Sequence, residues 1–221
     1  MNGSISGVGV LDKAMTVLGA LEREPRSLAE LMVATGLPRA TTYRLATALE
    51  SHGLVRRDSD GRFALGLGLV ALGRAAAHGL GLPEIARPAL EALRDATGES
   101  VQLYVRDGDR RICVEALESL HGLRTIVPLG AALPLDVGSA GRILRGDPEA
   151  LKRGWAESIA EREAGVASVS APVRTHDGSV VAAVSVSGPI ERTTRQPGKK
   201  YATAVVEAAA RIERGLRTGD A

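Results

Sequence analysis

The sequence has a single cysteine, Cys113, so no disulfide can form within the chain. That excludes the small secreted scaffolds that replace a core with cross-links, and it fits a reducing cytoplasm. Aromatic residues make up 2% of the chain, too few for a stacking surface that reads single-stranded nucleic acid. No apolar run approaches the ~18 residues needed to cross a bilayer. The first stretch, MNGSISGVGVLDKAM, lacks the basic start and long apolar core of a secretion signal. His52, His78, His121 and His176 are scattered, and with one cysteine there is no zinc-ligand spacing. Neither a G-x-S-x-G elbow nor a Walker loop is present. Glu157, Glu161 and Glu163 read as a solvated charged face. No catalytic residue, metal or cofactor is expected, and no enzyme.

What is present is ordinary globular composition. Of 221 residues, 44% are hydrophobic and 24% charged, enough for one large or two modest domains. The formal net charge is +2, and only four of the 28 basic residues are Lys. The arginine excess fits a GC-rich genome as well as it fits function. Local charge is more telling. Between Leu37 and Arg57 there are four Arg and one Glu, a local charge of +3.

Leu11, Ala14, Met15, Leu18 and Leu21 mark one apolar helix face. Ser27-Leu28-Ala29-Glu30 is a capping box that opens a second, short helix with Leu28, Leu31 and Met32 buried. Gly36 ends it. Pro38 opens a third helix, held down by Thr42, Leu45, Ala46 and Leu49 and closed by Gly53. Leu54 to Leu65 then switches to strand, Asp58-Ser59-Asp60-Gly61 turn, strand. Three helices and a hairpin predict a winged helix-turn-helix over residues 1–66. Gly66 to His78 reads as a connecting helix, which places the linker at 67–82. Residues 83–221 begin with an amphipathic helix carrying Ile85, Leu90 and Leu93. Antiparallel hairpins with one buried face follow, at Val101–Ala116 and Val166–Val186. A terminal helix carries Val205, Ala208, Ala209 and Ile212. The fold class is α+β.

In a helix-turn-helix, base edges are met by the N-terminal residues of the groove-lying helix, and phosphates by the wing. Arg39, Ala40, Thr41, Tyr43, Arg44 and Thr47 lie off the buried stripe. Thr42 belongs to the stripe and is also retained among the DNA contacts. Arg57 and Arg62 flank the hairpin turn, within reach of phosphate. Arg offers two donors to guanine, and Thr a hydroxyl and a methyl. A second cluster, Val137-Gly138-Ser139-Ala140-Gly141-Arg142-Ile143, looks like a loop opening a helix. Its amides would suit a carboxylate, or it is an ordinary capped turn. Ser185 and Ser187 lie two apart on one strand, so their hydroxyls share a face. That face is either exterior or the lining of a polar cavity.

On these residues the chain resembles the IclR family of transcriptional regulators over nearly its whole length. The likeness rests on Val8-Leu11-Asp12-Lys13-Ala14, on Gly36 to Leu45 and on Gly53-Leu54-Val55. It continues through Pro134-Leu135, Gly138 to Arg142, Arg153-Gly154-Trp155, Gly165 and Ala171-Pro172-Val173, and ends on Val184 to Pro189. The resemblance implies an N-terminal winged helix-turn-helix, a linker helix and a C-terminal GAF-like antiparallel sheet flanked by helices. It implies a homodimer or tetramer on double-stranded palindromic operator DNA, switched by a small-molecule effector, a carboxylate or an amino-acid relative. The implied effector residues are Thr125, Leu133, Ser139, Ala140, Ser158, Ser168, Ser185 and Ser187. Trp155 is expected close to them. Composition and the Val169 to Arg174 run look like an actinobacterial branch governing amino-acid biosynthesis. Family members usually carry a longer helical stretch before Gly154-Trp155. Here only Arg142 to Arg153 span it: either the stretch is deleted, and one wall of the pocket lost with it, or a mobile segment is absent from this sequence. Two other readings stay open: a constitutive DNA-binding regulator with a closed effector domain, and a small-molecule enzyme.

Overall fold

The structure is a computed structural model and describes residues 7–219. Residues 1–6, part of the stretch read for a secretion signal, lie outside the described residues, as does the side chain of His78. The chain divides into two compact units, Met1–Gly79 and Leu80–Ala221.

The first unit contains α1 (Gly9–Ala20), α2 (Leu28–Thr35), α3 (Arg39–Ser51), β1 (Val55–Arg57) and β2 (Phe63–Leu65), and runs into α4 (Gly68–Leu80). Its core is Val17, Leu21, Leu31, Ala46, Leu49, Val55 and Phe63. The Ser27–Glu30 capping box forms in both directions, and Gly36 closes α2 at φ 68°. Pro38 is the N-cap of α3, not its first helical residue, and leaves that end without a side-chain cap. On α1 the buried position is Val17, while Leu11 and Met15 are 51% and 58% exposed. The expected apolar face is therefore only half used, because α1 meets its neighbours through its C-terminal half. The β1–β2 hairpin is antiparallel, with Val55 opposite Leu65. Gly66 is required there: a Cβ on it would lie 2.1 Å from the Gly53 carbonyl oxygen. That closeness seats the start of α4 on the end of α3.

The second unit contains α5 (Leu82–Thr97), β3 (Ser100–Asp107), β4 (Arg110–Leu117), β5 (Ala132–Pro134), α6 (Ser139–Leu144) and α7 (Pro148–Arg153). β6 (Ala156–Ile159), β7 (Val166–Arg174), β8 (Val180–Pro189), α8 (Ile190–Thr193) and α9 (Pro197–Gly219) complete it. One antiparallel sheet runs β5-β4-β3-β8-β7-β6. Its first face packs Val101, Leu103, Val169, Ala171, Val184 and Val186 against α5 and α9. Val205, Ala208, Ala209 and Ile212 of α9 are buried there as the spacing predicts.

The expectation of a single buried face does not hold. The other face is also covered, by α6 and by the irregular segment carrying Val127 and Leu135, over Tyr104, Cys113 and Ala183. Strand alternation reads which residues share a face, not what lies above it. The short link after α6 is closed and orderly: Gly146 turns at φ 83° and Asp147 caps α7.

Candidate functional sites

The exposed side of α3 holds the first site. Arg39, Tyr43 and Arg44 are exposed and Thr41 is half-buried. Arg39 makes no side-chain hydrogen bond or ion pair among the described residues. Arg44 Nε donates to the Ala40 carbonyl at 3.2 Å, which lays the side chain along the helix. No acidic residue occupies the first turn. Cations there oppose the helix dipole, so they do not stabilise α3 itself.

Thr42 must be corrected. It is 0% exposed, and its hydroxyl donates to the Leu37 and Pro38 carbonyls at 3.2 and 3.1 Å. It anchors the turn and cannot also meet DNA. Thr47 is half-buried with its hydroxyl buried and unpartnered, so that hydroxyl does not face solvent either. On the hairpin, Arg57 stacks over Phe63 at 4.1 Å and pairs with Glu50 at 3.4 Å. Arg62 pairs with Asp58 at 3.0 Å and Asp60 at 3.5 Å. Burial pushes the Asp58 carboxyl up, but hydrogen bonds from Arg62 and Asp60 outweigh it and hold the group below its usual value. Both turn-flanking arginines are thus pre-positioned by acids. Arg56, which sequence reasoning passed over, is exposed and has no such partner among the described residues.

The second site lies on the α6 face of the sheet. Strand register aligns Ser158, Ser168, Ser187 and Ser100 in one row across β6, β7, β8 and β3. A parallel row runs Ala156, Ser170, Ser185 and Gln102. Ser139, at the start of α6, sits on these rows with its hydroxyl 2.6 Å from that of Ser168 and 2.8 Å from that of Ser170. Ser187 donates to Gln102 Oε1 at 3.0 Å. The cavity between them has a volume of about 30 Å³.

Six of the expected effector residues line it: Ser139, Ala140, Ser158, Ser168, Ser185 and Ser187. Thr125 and Leu133 do not. Thr125 borders a separate groove of about 460 Å³, which shares Glu163 and Val166 with the cavity wall. Leu133 pairs with Arg111 on the edge strand and packs into the second core. Trp155 is also elsewhere, stacked under Arg153 at 3.8 Å and packed against the helix-side core.

The wall includes residues that sequence reasoning missed, above all Arg111, with Gln102, Tyr104 and Arg162. Arg111 is 3% exposed. Burial pushes its pKa below the ordinary arginine value. The signal was in the alternation: Arg111 and Cys113 fall opposite Ile112, on the face assumed to be solvent. The glutamates also differ from expectation. Glu161 accepts the Gly138 amide at 3.0 Å and pairs with Arg142, so the amide offered to an effector carboxylate already holds an internal one. Glu157 accepts the Gly198 amide at 2.9 Å at the start of α9.

A family model described as the IclR helix-turn-helix domain matches residues 10–59. A second, described as the bacterial transcriptional regulator IclR C-terminal, matches residues 74–146 and 148–214. This chain belongs to the IclR family. Its C-terminal match breaks at Asp147, inside the connection from Arg142 to Arg153. The IclR chain is 29% identical to the HTH-type transcriptional regulator KipR of Bacillus subtilis, over 92% of this chain and 95% of KipR. It is 26% identical to the HTH-type transcriptional repressor AllR of Escherichia coli K12, over 85% of this chain and 83% of AllR. Among solved structures it is similar to IclR of Thermotoga maritima, with TM-score 0.75, 24% identity, and 94% and 98% of the two chains covered. It is similar also to an IclR homolog from Microbacterium hydrocarbonoxydans complexed with 4-hydroxybenzoate, with TM-score 0.79, 23% identity, and 95% and 99% covered. At these identities the two structures speak for the fold. This IclR-family chain is a DNA-binding transcriptional regulator.

Proposed function

We propose that residues 1–66 read a palindromic operator as one half of a dimer, that 67–82 link, and that 83–221 sense a small molecule. The observation that carries the DNA reading is the start of α3. It presents Arg39, Thr41, Tyr43 and Arg44 beside an N-terminus with no acid and no side-chain cap. Such an end favours phosphate and base-edge contacts over helix stability. Arg57 and Arg62 of the wing meet the backbone, exchanging the carboxylates of Glu50, Asp58 and Asp60 for phosphate. Dimerisation is supported by apolar side chains exposed in the first unit: Val10, Leu11 and Met15 on α1, and Val70 and Leu72 on α4.

The cavity under α6 is the effector site in this reading. Its volume of about 30 Å³ holds only a water or two. A larger ligand therefore binds an opened state and shifts the population toward it. The family homolog complexed with 4-hydroxybenzoate supports a small organic effector, here a carboxylate or amino-acid relative. Amino-acid biosynthesis as the regulated process is proposed from the composition and the Val169 to Arg174 run alone. The protein is cytoplasmic and not an enzyme. No helix among the described residues is long and apolar enough to cross a membrane. The same small cavity supports the competing reading of a constitutive regulator. Operator binding measured with and without fractionated metabolite pools decides: a regulator of the proposed kind changes affinity with at least one fraction. An operator indifferent to every fraction selects the constitutive reading, and absence of any operator refutes both.

A further inference from the structure

Arg111 is a buried cation with no carboxylate at ion-pair distance among the described residues. Its guanidinium lines the cavity, and Nη1 donates to the Pro134 and Val137 carbonyls, the latter at 2.7 Å. Nε is buried without a partner, and Nη2 makes no hydrogen bond among the described residues. The other charges on the wall are Arg162 and Glu163, which pair with each other at 3.3 Å. Two arginines against one glutamate give the lining residues a net charge of one positive. Two glycines clear space for the guanidinium. A Cβ on Gly138 would lie 3.3 Å from Nη2, and one on Gly141 2.9 Å from Nη1. The carbonyl contacts explain only one nitrogen of the head group. Burying the rest unpaired is costly, so a purely structural role accounts poorly for arginine here. The unpaired edge, Nε with Nη2, is a fork that matches the two oxygens of a carboxylate admitted when the cavity opens. Elsewhere on the same wall are Ser158 and Ser185, which make no side-chain hydrogen bond among the described residues and remain available to neutral groups on a ligand.

We propose that Arg111 is the anchor of the effector site, its Nε–Nη2 edge taking one carboxylate of a singly charged ligand. The proposal rests on the reading of this cavity as the effector site. It assigns anion recognition to the strand β4 and not to the amides of α6, where Glu161 already sits.

The test uses the full chain and small carboxylates, which the opened state of the cavity would admit. Sodium formate, acetate and lactate are titrated at constant ionic strength against formamide, acetamide and lactamide, with thermal melting as the readout. Saturable stabilisation by at least one carboxylate, absent with its amide, is expected. Arg111→Gln should abolish it, and Arg111→Lys, which keeps the charge but not the fork, should weaken binding by about tenfold. Equal effects of acid and amide, no effect of any carboxylate, or an undiminished effect in Arg111→Gln each overturn the proposal. Should Arg111→Gln not fold, the acid–amide comparison on the unmodified protein and the Arg111→Lys titration decide. Failure of the anchor and failure of the effector reading separate cleanly. Operator binding that still responds to metabolite fractions in Arg111→Gln removes the anchor and keeps the effector site. Carboxylate binding that needs Arg111 yet never alters operator affinity does the reverse.

Discussion

Thr42→Val separates the two roles that the sequence allowed for this residue. The side chain is 0% exposed, and its hydroxyl serves the Leu37 and Pro38 carbonyls at 3.2 and 3.1 Å. Valine keeps the shape and loses the donor. A net hydrogen bond is worth about 0.5–1.5 kcal/mol, and both contacts here are long, so one bond's worth is the fair figure. The added methyl recovers up to about 0.8 kcal/mol if it packs without strain. The expected loss is therefore about 1 kcal/mol or less, a shift of up to about 4–8 °C for a unit of this size. Far-UV circular dichroism of the full chain, with amide exchange at residues 39–52, would locate the loss in α3. Operator affinity measured well below the melt should stay within about 0.5 kcal/mol of the unmodified protein, as for mutations away from a contact. Arg44→Ala is the counterpart, with an unchanged melt and operator binding weaker by about 1–3 kcal/mol at matched salt. If Thr42→Val weakened operator binding as Arg44→Ala does, without moving the melt, Thr42 would touch DNA and the burial argument would be wrong.

Replacing Ser185 and Ser187 together by Leu fills the cavity and should abolish any ligand response while operator binding survives. Overpacking should cost about 1–3 kcal/mol per site, read from Trp155 fluorescence on denaturation. An intact response would remove both serines from the site. Cys113 is buried and its thiol is pushed up to about 12, chiefly by burial. It should resist thiol reagents at neutral pH until the unit opens, so fast labelling of the native protein contradicts the packing. The sign follows: the folded thiol holds its proton more tightly, so this contribution to stability is present below the ordinary value of 9.0 and is lost as pH rises from there toward about 12. Gly66→Ala forces a Cβ against the Gly53 carbonyl and should lower the melt of the first unit and operator affinity together, whereas Gly73→Ala, on an open stretch of α4, should change neither.

Local signals were legible. The Ser27 capping box, the left-handed Gly36, the stripe of α3 and the apolar spacing of α9 each follow from interactions within a few residues, and a sequence displays those directly. The order of elements followed from the same signals, and the family from the resemblance carried by motifs such as Gly36 to Leu45 and Val184 to Pro189. Four cavity residues were also within reach, because Ser139 and Ala140 open a helix and Ser185 and Ser187 alternate on one strand; Ser158 and Ser168 came only with the family resemblance. Where reasoning from the sequence went astray, the cause was long-range. The period of two placed Arg111 and Cys113 on the face opposite Ile112, but it could not say that α6 covers that face. The Leu11–Met15 face of α1 has the right period and, among the described residues of the single chain, is left exposed. Thr42 fitted both a buried stripe and a DNA face until burial decided. The serine rows join residues from four strands, up to 87 positions apart between Ser100 and Ser187, and only strand register aligns them. The sequence by itself determined the local structure, since capping, turn geometry and periodicity are short-range. Tertiary structure alone decided which cation lost its water, because desolvation depends on everything packed around a group and not on its neighbours in the chain.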